Sequence, residues 1–266
     1  MTVMDRGETA MTMPVHLDEG AGSAVMFCHG ALMDHSMFKH QVEALSPAYR
    51  CISFDMRPVR PATYSLADLV DECLGLMGRL RIDRFVLAGL SMGGFVGIEL
   101  ALRQSHRLAG LVLMDTMAAD YTMDERRLFG ETFAPLDADG LLPANFINAF
   151  VPVIFSQRAE DQLTGLVAHW KERWAAQSAR SILLEHRAWL AKADYRPRLP
   201  ELRMPTLILH GADDRGINVE HARVLNHGIQ GSELVELPGV GHAITEEAPE
   251  PVNQALRSFL DRILAW

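Results

Sequence analysis

Four short apolar runs organise the first half of the chain: SAVMFCHG, YRCISFD, DRFVLAGLS and LAGLVLMDT, each ending in a polar or glycine-rich segment. Their apolar residues run on without alternating with polar ones, so they read as strands covered on both faces. Between them, SMFKHQVEALSP, SLADLVDECLGLMGRL and MGGFVGIELALRQSH carry apolar residues at helical spacing. In the second of these, Leu66, Leu69, Val70, Cys73, Leu76, Met77 and Leu80 form one stripe, and Ser65 is placed to cap its start. Strands alternating with helices of this length predict an α/β fold with a mostly parallel central sheet and right-handed crossovers.

The rhythm breaks at residue 118. From there to 202 no strand pattern appears, and MDERRLFGETF, LLPANFINAF, AEDQLTGLVAHWKERWAA and ARSILLEHRAWLAKA are all helical in spacing. Strand and helix patterns then resume with MPTLILHGADD, VEHARVLNHGI, SELVELPGVGH and PEPVNQALRSFLDRILAW. The expected organisation is a sheet core made of residues 1–117 and 203–266, interrupted by a helical insertion over 118–202.

Charge and composition narrow the function. A formal net charge of −9 and the lack of a basic stripe argue against binding nucleic acid, whose phosphates need clustered Lys and Arg. The three cysteines (Cys28, Cys51 and Cys73) are odd in number and follow no C-x-x-C spacing, which suits small buried side chains in a reducing compartment. The first twenty residues lack the charged start and apolar stretch of a secretory signal, and no apolar run reaches the length of a membrane span. The expectation is a cytoplasmic protein that acts on a small molecule and meets neither nucleic acid nor membrane.

The stretch AGLSMGG, residues 88–94, places Ser91 between Gly89 and Gly93 at the end of a strand run and the start of a helical one. This G-x-S-x-G arrangement is the pattern of a nucleophile elbow, in which a sharp turn presents the serine and only small neighbours fit. A serine there sits at a helix N-terminus, beside free amides and the positive end of the dipole. Serine is a weak nucleophile, so a base and an orienting acid are needed downstream. Asp213 and Asp214 follow the run TLILHG, and His242 lies in the glycine-bracketed loop LPGVGH after the next strand run. All three loops fall at the carboxyl edge of one parallel sheet, where such folds build their sites.

His169, His186, His221 and His227 lie within helical patterns and read as surface or packing residues, and His210 reads as a residue that positions the acid loop. No histidine pair has metal-ligand spacing, so no metal is expected. The oxyanion hole needs two N–H donors. The amide of Met92 is one, and the loop HGALMD supplies the other through Ala31, with Leu32 as the second choice.

Taken together, HGALMD, GLSMGG, PTLILHGADD and GVGHAITEEAPEPVNQALRSFL resemble the α/β-hydrolase superfamily over nearly the whole chain, specifically its small bacterial esterases, lactonases and perhydrolases. The resemblance implies a serine hydrolase acting on a carboxylic ester or lactone through an acyl-enzyme, without a cofactor. The family's G-x-x-D pattern counted from Gly211 makes Asp214 the acid, with Asp115 at the end of LVLM as the alternative that some members use. C–C bond hydrolysis and perhydrolysis share this residue set, whereas a ligand receptor of the same fold would not need all three residues.

Two departures stand out. Arg57, Pro58, Val59, Arg60 and Pro61 replace a glycine-rich loop of the family, and Asn218 stands where relatives often carry proline. The resemblance also implies that residues 118–202 cap the sheet edge. A substrate pocket is then expected from Leu32, Met33, Phe95 and Met117 below, and from Phe155, Trp170 and Trp189 above. Phe129, Phe133, Phe146, Phe150 and Trp174 add aromatic surface that mostly joins cap to core.

Overall fold

The computed structural model describes residues 16–56 and 63–264. The unusual segment Arg57-Pro58-Val59-Arg60-Pro61 lies outside the described residues. Seven strands are formed: β1 (His16–Glu19), β2 (Ala24–Cys28), β3 (Arg50–Phe54), β4 (Phe85–Leu90), β5 (Leu108–Met114), β6 (Thr206–Gly211) and β7 (Glu233–Leu237). They make one sheet in the order β1-β3-β2-β4-β5-β6-β7. Only β1 is antiparallel to its neighbour; every other pair is parallel. The strands expected from the apolar runs are all present, and β2 and β4 are buried along their whole length. β1, the short HLDE edge strand, is half-buried at most and had no apolar run to announce it.

Among the described residues six α-helices dress the core: α1 (Lys39–Leu45), α2 (Leu66–Arg79), α3 (Met92–Gln104), and three later ones described below. The stripe on α2 is buried from Leu66 to Met77, and Ser65 caps it in a reciprocal box. The Ser65 hydroxyl accepts from the Asp68 N–H, while the Asp68 carboxylate accepts from the Ser65 N–H. α3 packs along β4 and β5 and against α2. All three cysteines are free and buried. No described helix is long and apolar enough to cross a membrane.

Between β5 and β6 the chain forms α4 (Met123–Phe133), α5 (Ala144–Ile154), α6 (Gln157–Gln162), α7 (Thr164–Ala175) and α8 (Ala179–Leu190). The stretch expected as one helix over AEDQLTGLVAHWKERWAA is two, α6 and α7. Leu163, with φ −111° and ψ 42°, closes one and opens the other beside Thr164 and Gly165, both weak helix formers. After β6 come α9 (Glu220–Gly228), α10 (Ile244–Glu247) and α11 (Pro249–Ile263), with α9 on β6 and α11 against α1.

The helices between β5 and β6 share an aromatic cluster. The ring of His186 stacks on Phe133 with centroids 3.9 Å apart and meets Trp189 edge-on at 4.8 Å, while Phe133 packs against Phe146 and Phe150. Burial among these rings pushes the His186 pKa down to about 4, so the imidazole is neutral in the folded state. A histidine held neutral contributes stability that is complete above its unfolded pKa of about 6.5 and is lost as pH falls toward 4. Lowering the pH from 7 to 5 should therefore destabilise the wild type by about 1–2 kcal/mol more than His186→Leu, allowing for residual solvent screening. Urea unfolding of both proteins at the two pH values reads this directly, and parallel losses would contradict it.

Candidate active site

The site is built from loops at the carboxyl ends of β2, β4, β6 and β7. Ser91 follows β4 directly and opens α3 with φ 54° and ψ −115°, a backbone region that residues with a side chain seldom occupy. Bonds on both sides hold it there. Its N–H donates to the Met114 carbonyl at 2.8 Å, and the Thr116 hydroxyl donates to its carbonyl at 2.8 Å. A Cβ on Gly93 would lie 2.0 Å from the Cys28 carbonyl oxygen, and one on Gly89 2.2 Å from that of Gly93. Those two glycines are therefore what lets the turn close. The Ser91 carbonyl accepts from Gly94 and Phe95, so the Met92 amide stands at the helix start ahead of the first intrahelical bonds.

His242 and Asp214 are paired. Nδ1 of His242 lies 2.7 Å from Oδ2 of Asp214, and both side chains are buried. The other carboxylate oxygen accepts from the amides of Gly216 and Ile217 at 2.7 and 2.9 Å. A carboxylate in these contacts acts only as acceptor, so Nδ1 carries the proton and Nε2 keeps a lone pair. His210 braces the acid loop from behind: its Nε2 is 2.8 Å from the Ile217 carbonyl, and burial holds its pKa below the usual histidine value. Asn218 accepts from the Glu220 amide at 3.0 Å just ahead of α9. The histidine loop has its own brace. The buried carboxylate of Glu247 accepts from the Gly241 amide at 3.2 Å and from the Ser156 amide at 3.0 Å, and the Ala243 amide donates to the Ile154 carbonyl.

Asp115 follows β5 and is fully buried, with Oδ1 accepting from the Gly211 amide at 2.8 Å. Burial, and then the nearby charge of Asp214, raise its pKa well above the ordinary carboxylate value. Its oxygen comes no closer than 3.9 Å to His210 Nε2, and the carboxylate bonded to His242 belongs to Asp214. Asp115, His210 and Asp214 together bring three ligand-type atoms within 4.8 Å of one another. Asp115 Oδ1 accepts from the Gly211 amide and His210 Nε2 meets the Ile217 carbonyl, and none of the three residues borders the cavity.

Ser91 and His242 face one cleft with about 630 Å³ of empty space, part of it open solvent, and Ala31, Leu32 and Met92 line the same space. Its far wall comes from Phe129, Phe133, Phe150, Ile182 and Trp189 of the helices between β5 and β6.

The alpha/beta hydrolase family profile matches residues 25–255. The chain belongs to this family. Among its relatives is the RutD protein of Klebsiella pneumoniae, whose name assigns it provisionally to carbamate hydrolysis. It is 30% identical over 241 residues, covering 84% of this chain and 86% of its own. The 3-oxoadipate enol-lactonase 1 of Acinetobacter baylyi is 25% identical, covering 98% and 97%. A thermophilic esterase from Thermogutta terrifontis superposes with a TM-score of 0.88 at 27% identity, over 94% of this chain and 93% of that one.

Within this hydrolase, the expected pocket residues divide. Leu32, Phe95 and Trp189 line the cavity. Met33, Met117, Phe155 and Trp170 do not; each is almost fully buried and fills core, with Phe155 packing toward Trp174. Sequence periodicity marks a helix face as apolar without saying whether it meets protein or void. The lining residues that sequence reasoning did not single out include Tyr121, Val153, Ile154, Ile217 and, above all, Glu185, a carboxylate on an otherwise apolar wall. Its only sequence signal is a charged residue on the apolar stripe of ARSILLEHRAWLAKA.

The geometry separates the two candidate acids by experiment. Asp214→Asn should lower kcat of this hydrolase by about 10³–10⁴, because it loses the group that fixes the histidine tautomer. Asp115→Asn should retain at least about a tenth of kcat, as expected of a buried residue without a bond to His242. Steady-state kinetics of the two variants on one substrate give the comparison; a larger loss at Asp115 reverses the assignment.

Proposed function

We propose that the protein is a serine hydrolase that cleaves a small carboxylic ester or lactone through an acyl-enzyme on Ser91. The observation that carries this reading is His242, paired with Asp214 at 2.7 Å, facing the same cavity as a serine held in a strained turn at a helix N-terminus. In the first step Nε2 of His242 takes the Ser91 proton as Oγ attacks the carbonyl carbon, and the carbonyl electron pair moves onto oxygen. The amides of Ala31 and Met92 receive that oxyanion. The tetrahedral species collapses as His242 returns the proton to the leaving alkoxide, releasing the alcohol or opening the lactone ring. Water, deprotonated by the same histidine, then attacks the acyl-enzyme and regenerates Ser91. Every proton is carried by His242, so the cycle runs without a cofactor.

Names among the relatives support the substrate class: an enol-lactonase and an esterase stand among the proteins this chain resembles. Residues 118–202 act in this reading as a cap whose aromatic side chains hold the apolar part of the substrate, over a core of residues 1–117 and 203–266. An apolar wall favours a neutral acyl or alcohol group of modest size.

Hydrolysis of p-nitrophenyl esters from acetate to decanoate tests the reading. The expected optimum lies at about four to eight carbons, as suits an apolar wall beside the serine. Ser91→Ala should lose at least about 10³ of kcat/KM. A variant that keeps its activity would remove Ser91 from the chemistry and the proposal with it.

A further inference from the structure

The turn that carries the Ala31 amide is held by side chains from outside the sheet. The Met33 N–H donates to the Gly30 carbonyl at 3.2 Å and closes a four-residue turn over 30–33. Its third residue, Leu32, has φ 66°, while Ala31 is not in the left-handed region. A positive φ at the third position alone marks a type II turn, which ordinarily calls for glycine there. A leucine in that conformation costs on the order of 1–2 kcal/mol. The alternative without that cost is a type I turn, reached by flipping the peptide between Ala31 and Leu32. The flip exchanges the directions of the Leu32 N–H and the Ala31 carbonyl oxygen.

One side chain opposes the flip and a second anchors the peptide that follows it. Glu185 on α8 accepts from the Leu32 N–H at 3.1 Å, and Gln177, just past α7, donates to the Leu32 carbonyl at 2.9 Å. Next in the loop, the Asp34 carboxylate is bound by the Arg173 guanidinium, with Nε at 3.0 Å. Glu185 is 1% exposed and borders the cavity together with Ala31, Leu32 and Ser91. Buried bonds of this kind to a carboxylate are worth more than neutral ones, enough to offset the backbone strain.

We infer that Glu185 is a positioning residue for the oxyanion hole: by binding the Leu32 N–H it keeps the Ala31–Leu32 peptide from flipping, so that the Leu32 N–H and not the Ala31 carbonyl oxygen is turned toward the cavity that Ser91 borders. The inference rests on the serine-hydrolase reading above. A carbonyl dipole turned toward a developing oxyanion raises the barrier that the Ala31 amide is there to lower. Substrate binding, which depends on the apolar wall, is unaffected by the flip. The consequence falls on kcat.

The test is kinetic, with a conformational rescue built in. Wild type, Ser91→Ala, Glu185→Gln, Glu185→Leu and the double variant Glu185→Leu/Leu32→Gly are compared on the best p-nitrophenyl ester. Glu185→Leu should lower kcat by about 10–100-fold with KM within about threefold, since part of one oxyanion donor's effect is lost. Glu185→Gln keeps an acceptor oxygen and should show at least about ten times the kcat of Glu185→Leu. Leu32→Gly favours the type II turn without any partner, so the double variant should recover at least about tenfold over Glu185→Leu. The rate at which a p-nitrophenyl phosphonate labels Ser91 should follow the same order, because that adduct also needs the oxyanion hole. Should Glu185→Leu fail to fold, Glu185→Ala with and without Leu32→Gly gives the same comparison. A Glu185 variant with kcat within threefold of wild type, a loss carried by KM, or a double variant without recovery overturns the inference while leaving the hydrolase intact. Wild-type turnover that does not depend on Ser91 overturns the hydrolase reading first, and this inference with it.

Discussion

Ser91 sits in a backbone conformation that a residue with a side chain avoids, and the surrounding structure is arranged to keep it there. β5 contributes the Met114 carbonyl and, just beyond it, the Thr116 hydroxyl. The end of β2 presses against Gly93 so closely that any Cβ would collide with backbone. Three adjacent strands thus fix one residue. The parallel order is what makes this possible, since it gathers their carboxyl ends on one edge. Helix α3 then starts at the same point, so the turn that carries Ser91, the nucleophile of the proposed reaction, also presents helix-start amides.

The acid side of the site solves a different problem. Asp115 and Asp214 lie near one another in a buried region, and two ionised carboxylates there would repel strongly. The strain is relieved by asymmetry. Asp214 receives two amides and the His242 ring, whereas burial and the charge of Asp214 drive Asp115 toward its neutral form. One carboxylate is left to orient the histidine, and the other becomes a structural acceptor for Gly211. Because the pair sits on neighbouring strand ends, sequence alone offers both as candidates, and only the bonding pattern distinguishes them.

Much of the fold was legible because burial on both faces leaves an unbroken apolar run, and the β2, β4, β5 and β6 runs are of that kind. β1 escaped because a short, half-exposed edge strand leaves no such mark. The division of AEDQLTGLVAHWKERWAA into α6 and α7 was hidden for a related reason: the apolar stripe continues across the break, and only Thr164 and Gly165 hint at it. Motif spacing picked out Ser91, Asp214 and His242, which the structure brings to the carboxyl edge of one sheet, since loops at strand ends are local in sequence. The cavity wall is not local. Whether Trp170 or Trp189 meets empty space depends on how α7 and α8 pack, and both residues look alike along the chain. Glu185 was hidden further, because its partner, the Leu32 amide, is 153 residues away.

Left-handed residues with side chains are few, and three of the four described here (Leu32, Ser91 and Asp115) follow the ends of β2, β4 and β5, which are neighbours in the sheet. Each conformation costs on the order of 1–2 kcal/mol, so the carboxyl edge concentrates strain that the rest of the sheet lacks. Each is held by partners drawn from a different element: Glu185 and Gln177 at Leu32, Thr116 at Ser91, the Gly211 amide at Asp115. Substitutions that relaxed these turns would raise stability and lose the aim of the groups they carry. The helices between β5 and β6 therefore do more than wall the cavity. Through Glu185 and Gln177 on one side, and the Ser156–Glu247 contact on the other, they fix the loops bearing Ala31 and His242. In the proposed mechanism, a shift of those helices would change the geometry on both sides of Ser91 at once, which would tie the shape of the pocket to the rate of the chemistry within it.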